Sequence, residues 1–175
     1  MLVVLAGICL SLTSCPESGE IVLFRELKLE NAVKAKLGAP FGFLTKGDLL
    51  RLYELDVRDL GIADLSGLEH CRNLSLLDAS GNNITDLTPL TDLVNLKDLR
   101  LSDNSIKDLT PLTGLYYLDN VTLTGNEIWD LGPLLVNAEV PGLGLGDKDT
   151  VTVDASTFLN DDGTFISSTQ QIYVE

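Results

Sequence analysis

The sequence predicts an α/β solenoid, a stack of short coils sharing one apolar spine, and three observations carry that prediction. Nearly the same nine residues recur as NNITDLTPL from Asn82, NSIKDLTPL from Asn104 and NEIWDLGPL from Asn126, each 22 residues after the last. A looser version, LGIADLSGL, begins another 22 residues earlier at Leu60. Within each unit the apolar residues follow first a strand spacing and then the spacing of a tight helical return. The stretch before the repeats has instead the pattern of a helix. Self-similarity at a fixed period of this length is the mark of a repeat architecture.

Starting the units at Leu52, Leu74, Leu96 and Leu118 brings all four into phase, with apolar residues at unit positions 1, 4, 6, 11, 14, 17 and 20. In the second unit these are Leu74, Leu77, Ala79, Ile84, Leu87, Leu90 and Leu93, and Cys71 fills the last such place in the first unit. Positions 4 and 6 alternate as in a short strand with one buried face. Positions 11 to 20 come every third residue, which suits a 3₁₀ return. One strand and one return cannot bury an apolar edge alone, so stability requires stacking.

The polar residues that recur have structural work. Asn82, Asn104 and Asn126 stand where each strand turns away, and a buried amide there can bond the backbone groups that the turn leaves unpaired. Leu60 replaces the asparagine in the first unit, so the ladder is expected to lack a rung at that end. Pro89, Pro111 and Pro133 fix the backbone entering the return, with Gly67 in the first unit. Asp64, Asp86, Asp108 and Asp130 precede the return and are read as caps for its free N–H groups rather than as catalytic acids. Ahead of the repeats, Leu29, Val33 and Leu37 line one face of a helix that Gly38 ends, and Thr45 with Asp48 forms a capping-box start for a second.

The motif LxxLxLxxNxIxDLxPLxxL, running from about Leu52 to Leu135, resembles the 22-residue class of leucine-rich repeat found in bacterial internalins. The resemblance implies a leucine-rich-repeat solenoid. It would be a right-handed β-α superhelix with short parallel strands on a concave face and 3₁₀ or short helical returns on the convex one. A helical cap is expected before the repeats and a β cap after them. GLGLGDKDTVTVDAS resembles the closing turn and strand, with Val151 and Val153 inward. The expected division is a signal peptide at 1–14, a linker at 15–24, a helical cap at 25–51, four repeats at 52–137, and a C-terminal cap and tail at 138–175.

The N-terminus MLVVLAGICLSLTS is uncharged and apolar, too short to span a bilayer but suited to a signal peptide. Leu12-Thr13-Ser14-Cys15 resembles the lipobox of bacterial lipoproteins, which implies diacylation of Cys15 and an anchored protein of the cell envelope, in the outer membrane, the periplasm or at the cell surface. Cys9 would leave with the signal, and Cys71 would remain as a lone apolar filler. A formal net charge of −14 argues against nucleic acid and against adsorption to an anionic membrane, leaving the lipid as the expected membrane contact.

Residues pointing out of the strands are the candidate contact surface: Glu54, Asp56, Arg58, Leu76, Asp78, Asp98, Arg100, Asn120 and Thr122. This strip is acidic toward its N-terminal end, poor in aromatic anchors, and about 20 Å long for four strands. Tyr116, Tyr117 and Trp129 lie elsewhere and are expected to be partly buried. No reaction is indicated. His70 and Cys71 are adjacent on a tight return, which turns their side chains apart, and no metal or cofactor site is expected. Gly142–Gly146 reads as a turn and Asn160–Gly163 as a hairpin turn, while Asp147, Asp149, Asp161 and Asp162 lack calcium-loop spacing. The expected protein is a non-enzymatic, monomeric binding module for a protein or a glycan. The alternatives are a structural subunit or shortened relative of a larger repeat-containing surface protein, and a cytosolic protein-binding regulator without a working signal.

Overall fold

A computed structural model describes residues 19–39, 41–134, 150–153 and 172–174. Eight strands and two helices follow one another along these residues. In the N-terminal cap they are β1 (Ile21–Val22), α1 (Leu27–Lys36), β2 (Leu44–Thr45) and α2 (Lys46–Leu49). The repeats supply β3 (Glu54–Asp56), β4 (Leu76–Asp78), β5 (Asp98–Arg100) and β6 (Asn120–Thr122), and β7 (Thr150–Val153) and β8 (Ile172–Val174) follow.

β3 to β8 form one six-stranded sheet in sequence order, parallel throughout. The register advances by one unit per strand, so Leu55, Leu77, Leu99, Val121 and Val151 stand in one row. β7 continues the row after the last repeat, where a closing strand was expected, and β8, which the sequence pattern did not mark, pairs parallel beyond it. At a strand spacing of about 4.8 Å, six strands make a strip of roughly 29 Å. The readings at Gly142–Gly146, Asp147, Asp149 and Asn160–Gly163 lie outside the described residues, as do Cys9 and Cys15.

All predicted spine positions are buried. Leu52, Leu55, Val57, Ile62, Leu65, Leu68 and Cys71 begin the spine, and their equivalents continue it to Leu134. Three-residue 3₁₀ segments at Leu68–His70, Thr88–Leu90 and Thr110–Leu112 return each chain to the sheet. The asparagine ladder is present. Asn82 Oδ1 accepts from Ile62 N, and its amide donates to Val57 O, Ala79 O and Ser80 O at 2.9, 2.9 and 3.2 Å. Asn104 and Asn126 repeat the pattern one and two units on. At the missing rung, Lys28 of α1 donates to the Leu60 carbonyl at 2.7 Å.

The aspartate caps hold the start of each return. Asp64, Asp86, Asp108 and Asp130 accept from the backbone N–H two residues on, at 2.8, 2.8, 2.8 and 2.7 Å. Hydrogen bonds from Ser66 and Thr110, first from the side chain and then from the backbone, hold Asp64 and Asp108 below the usual carboxylate range. Thr45 does the same to Asp48 through the capping box. A carboxylate depressed in the folded state contributes stability that is present above its unfolded pKa of about 3.9 and is lost as pH falls through the lower folded value. Thermal melts should therefore keep this contribution from pH 7 to about 5 and lose it below about pH 4. Asp64→Asn with Asp108→Asn should flatten that fall; an unchanged acid limb would contradict the assignment.

The cap departs from expectation at one place. Residues 15–24 read as a linker, yet Ile21–Val22 pairs antiparallel with Leu44–Thr45, and Val22 is buried with Leu44 against the cap. A strand of two residues carries too little alternation to be recognised. α1 buries Leu29 and Val33 as predicted, and Gly38 leaves it at φ 68°.

Candidate functional site

Equal unit positions fall side by side because the strands are parallel and in register. Position 3 gives the row Glu54, Leu76, Asp98 and Asn120, and position 5 gives Asp56, Asp78, Arg100 and Thr122. Every strand-borne candidate thus lies on the open face of one sheet, opposite the spine. Arg58 follows β3 and reaches back over it.

These side chains form a network of charges that neutralise one another. Arg58 grips Asp56 with two nitrogens, Nε to Oδ1 at 3.0 Å and Nη2 to Oδ2 at 2.7 Å. That hydrogen-bonded pair, more than any other influence, holds the Asp56 carboxyl below its usual range. Arg58 Nε also lies 3.6 Å from Asp78 Oδ2, and Arg100 Nη1 approaches the same oxygen at 3.5 Å from the other side. Ser80 N donates to the second oxygen, Oδ1, at 3.2 Å.

Two expectations are corrected here. Asp78 does not stand out as a contact residue, since it is only 5% exposed beneath the two arginines. The strip is also not simply acidic, because Arg58 and Arg100 both close on Asp78 Oδ2. What reaches solvent in the centre is a pair of half-exposed guanidinium groups, one on each side of a buried acid. The unmatched acid lies further along, where Asp98 accepts from Asn120 Nδ2 at 2.8 Å. Beyond it the surface turns to hydroxyls, with Thr124 Oγ1 donating to Ser102 Oγ at 3.0 Å.

Beside the N-terminal end of the strip, Lys36, Leu37, Arg51, Tyr53 and Glu54 line a shallow hollow of about 300 Å³. Lys36 Nζ sits 3.7 Å from Glu54 Oε2, joining the cap to the strip, and Tyr53 is the exposed aromatic there. Trp129 contradicts the expected partial burial at 74% exposed, and Tyr117 is also exposed. The reason is positional: Trp129 shares unit position 12 with Ala63, Thr85 and Lys107, which are exposed in every coil.

Reactive groups are few among the described residues. Cys71 is fully buried, and burial pushes its thiol up to about 12, so it stays protonated and unreactive at neutral pH. His70 Nε2 lies 3.7 Å from Glu69 Oε1 on the return. No group of three or more metal-ligating side chains comes together among the described residues.

No family model matches the sequence, and no curated protein matches it. Among solved structures, an internalin (inlF) of Listeria monocytogenes is similar at 28% identity with a TM-score of 0.65. The similarity covers 75% of this chain and 44% of that one, so the chain spans less than half the length of its structural neighbour. An internalin C2 (inlC2) of the same organism matches at 25% identity over 75% of both chains, with a TM-score of 0.38. The functional domain of InlJ, also from Listeria monocytogenes, matches at 17% identity with a TM-score of 0.44, over 78% of this chain and 39% of that domain. The chain is an internalin-like leucine-rich-repeat solenoid.

Proposed function

We propose that this solenoid is a non-enzymatic binding module, anchored outside the cytoplasm through lipid on Cys15, which holds a protein partner on the open, concave face of its sheet. The observation that carries the reading is the row arrangement on that face. Four successive strands present position-3 and position-5 side chains side by side, and ion pairs to Asp56 and Asp78 hold the two arginines in place. A guanidinium fixed before binding loses less freedom on association, and its planar fork suits carboxylates or backbone carbonyls of a partner. Asp98 and the hydroxyl end would meet donors. Such a face, charged in patches and short, fits a modest protein contact; a glycan could use the same polar end. The lipobox-like Leu12–Cys15 supports the anchor and the cell-envelope location.

Proximity labelling in the native cell would identify the partner, and Arg58→Glu and Asp98→Lys would then be compared with the unaltered chain in capture of that partner. The expected result is at least a tenfold loss of capture, with the melting transition of Asp98→Lys unchanged. Cys15→Ala in the same cells should release the chain from the membrane fraction. Undiminished capture would favour the structural-subunit reading, and unchanged partitioning would remove the anchor.

A further inference from the structure

The N-terminal cap carries an apolar patch that the core does not use. In the β1–β2 pair, alternation sends Val22 and Leu44 into the core and leaves the odd-numbered residues on the outer face. Ile21 is 51% exposed, Leu23 77% and Phe43 74%. The register that pairs Ile21 with Thr45 and Val22 with Leu44 carries Leu23 toward Phe43, so both lie at the same end of the pair. Phe41 follows at 92% exposed, beyond the turn that Gly42 makes at φ 93°. Two phenylalanines and two aliphatic side chains turned to solvent on one small cap are more than a scattering of surface apolar residues requires.

Charge in the same region runs against the rest of the molecule. Residues 19–51 contain six basic side chains and four acidic ones, a net of +2 in a chain of net −14. Half of the protein's 12 basic residues therefore stand in the cap; Lys46, next to the patch in sequence, is paired with Glu20 at 2.7 Å, so the cap's excess positive charge comes from the others. Ile21 lies only six residues after Cys15, a reach of roughly 20 Å at full extension. An apolar surface on a cap of net positive charge, a short reach from the residue expected to carry lipid, matches the two layers of an anionic bilayer: acyl chains beneath and phosphates above.

We propose that this face of the cap lies on the membrane, with Leu23, Phe41 and Phe43 set into the lipid interface. The inference rests on the anchor at Cys15 for its geometry. The acyl chains hold the protein at the surface, and the patch fixes its orientation. The cap then faces the bilayer and the coils extend away from it, keeping the acidic repeats off the anionic surface.

The test uses the full chain, processed in its own cells, extracted in detergent and reconstituted into vesicles of phosphatidylethanolamine and phosphatidylglycerol with brominated acyl chains. Phe43→Trp is made together with Trp129→Phe, so that one indole reports from the patch, and the unaltered chain reports from Trp129. Quenching of the patch indole by the brominated lipid should exceed that of Trp129 by at least twofold, and adding Leu23→Asp and Phe41→Asp should abolish the excess. Quenching no stronger than that of Trp129 overturns the proposal, including the case where the patch indole is shielded because two copies associate, read by light scattering. Intact mass separates this outcome from failure of the anchor. If Cys15 carries no acyl groups, the same indole measured with added vesicles still decides whether the patch enters lipid.

Discussion

Leu99→Ala is expected to lower the unfolding free energy by about 3–5 kcal/mol, read as a fall in the urea midpoint at unchanged slope. Leu99 is fully buried in β5, between Leu77 on one side and Val121 on the other. Each neighbour is tied to its own coil by the parallel ladder, so neither can slide over to fill the space left by a lost isobutyl group. The site therefore belongs with those where the cavity persists and the penalty is high. Its central place adds to the effect, because a solenoid is held by contacts between adjacent coils and a weak interface in the middle separates two shorter stacks. Leu60→Ala, at an exposed position, is the control and should change little. A loss below about 1 kcal/mol at Leu99 would mean that the coils repack freely, contrary to a rigid spine.

Asn104→Ala should be nearly as damaging, at about 3 kcal/mol or more. Its amide donates to Ala79 O, Leu101 O and Ser102 O at 3.0, 3.0 and 3.1 Å, and its Oδ1 accepts from Ile84 N at 3.0 Å. Truncation strips the buried Ile84 N–H of its acceptor, at about 1–3 kcal/mol, and takes one of two donors from each carbonyl, at about 0.5–1.5 kcal/mol apiece, since Ala79 O, Leu101 O and Ser102 O keep Asn82 Nδ2, Asn126 Nδ2 and Gly81 N. Asn126→Ala offers a graded comparison, since its bonds are only partly buried and water can replace some of them. Thermal melts of the two variants should place Asn104→Ala well below Asn126→Ala. Equal and small shifts would show the ladder to be dispensable.

Much of this fold was legible because one period governs it. When Leu52, Leu74, Leu96 and Leu118 are set in phase, the strand, the asparagine turn, the aspartate cap and the return all follow, and each lies where that phase put it. The β1–β2 pair escaped because two residues per strand leave no pattern to read. The charge network on the open face escaped for a different reason, although its signal was present. Parallel strands in register set Asp56, Asp78 and Arg100 in one row, so unit arithmetic alone brings an arginine against Asp78. Considering each outward residue singly hid that pairing and suggested an N-terminal end that was simply acidic. Trp129 was misjudged in the same way, as an aromatic side chain rather than as an occupant of a position that every coil exposes.

The helix α1 packs beside β3, where Lys28 meets the Leu60 carbonyl and Lys36 meets Glu54. A parallel sheet built from near-identical steps would otherwise offer, at its first strand, a template on which a second molecule could continue the same winding. With that terminus plugged, head-to-tail polymerisation has no seed on this side, and crowded copies can stay separate molecules.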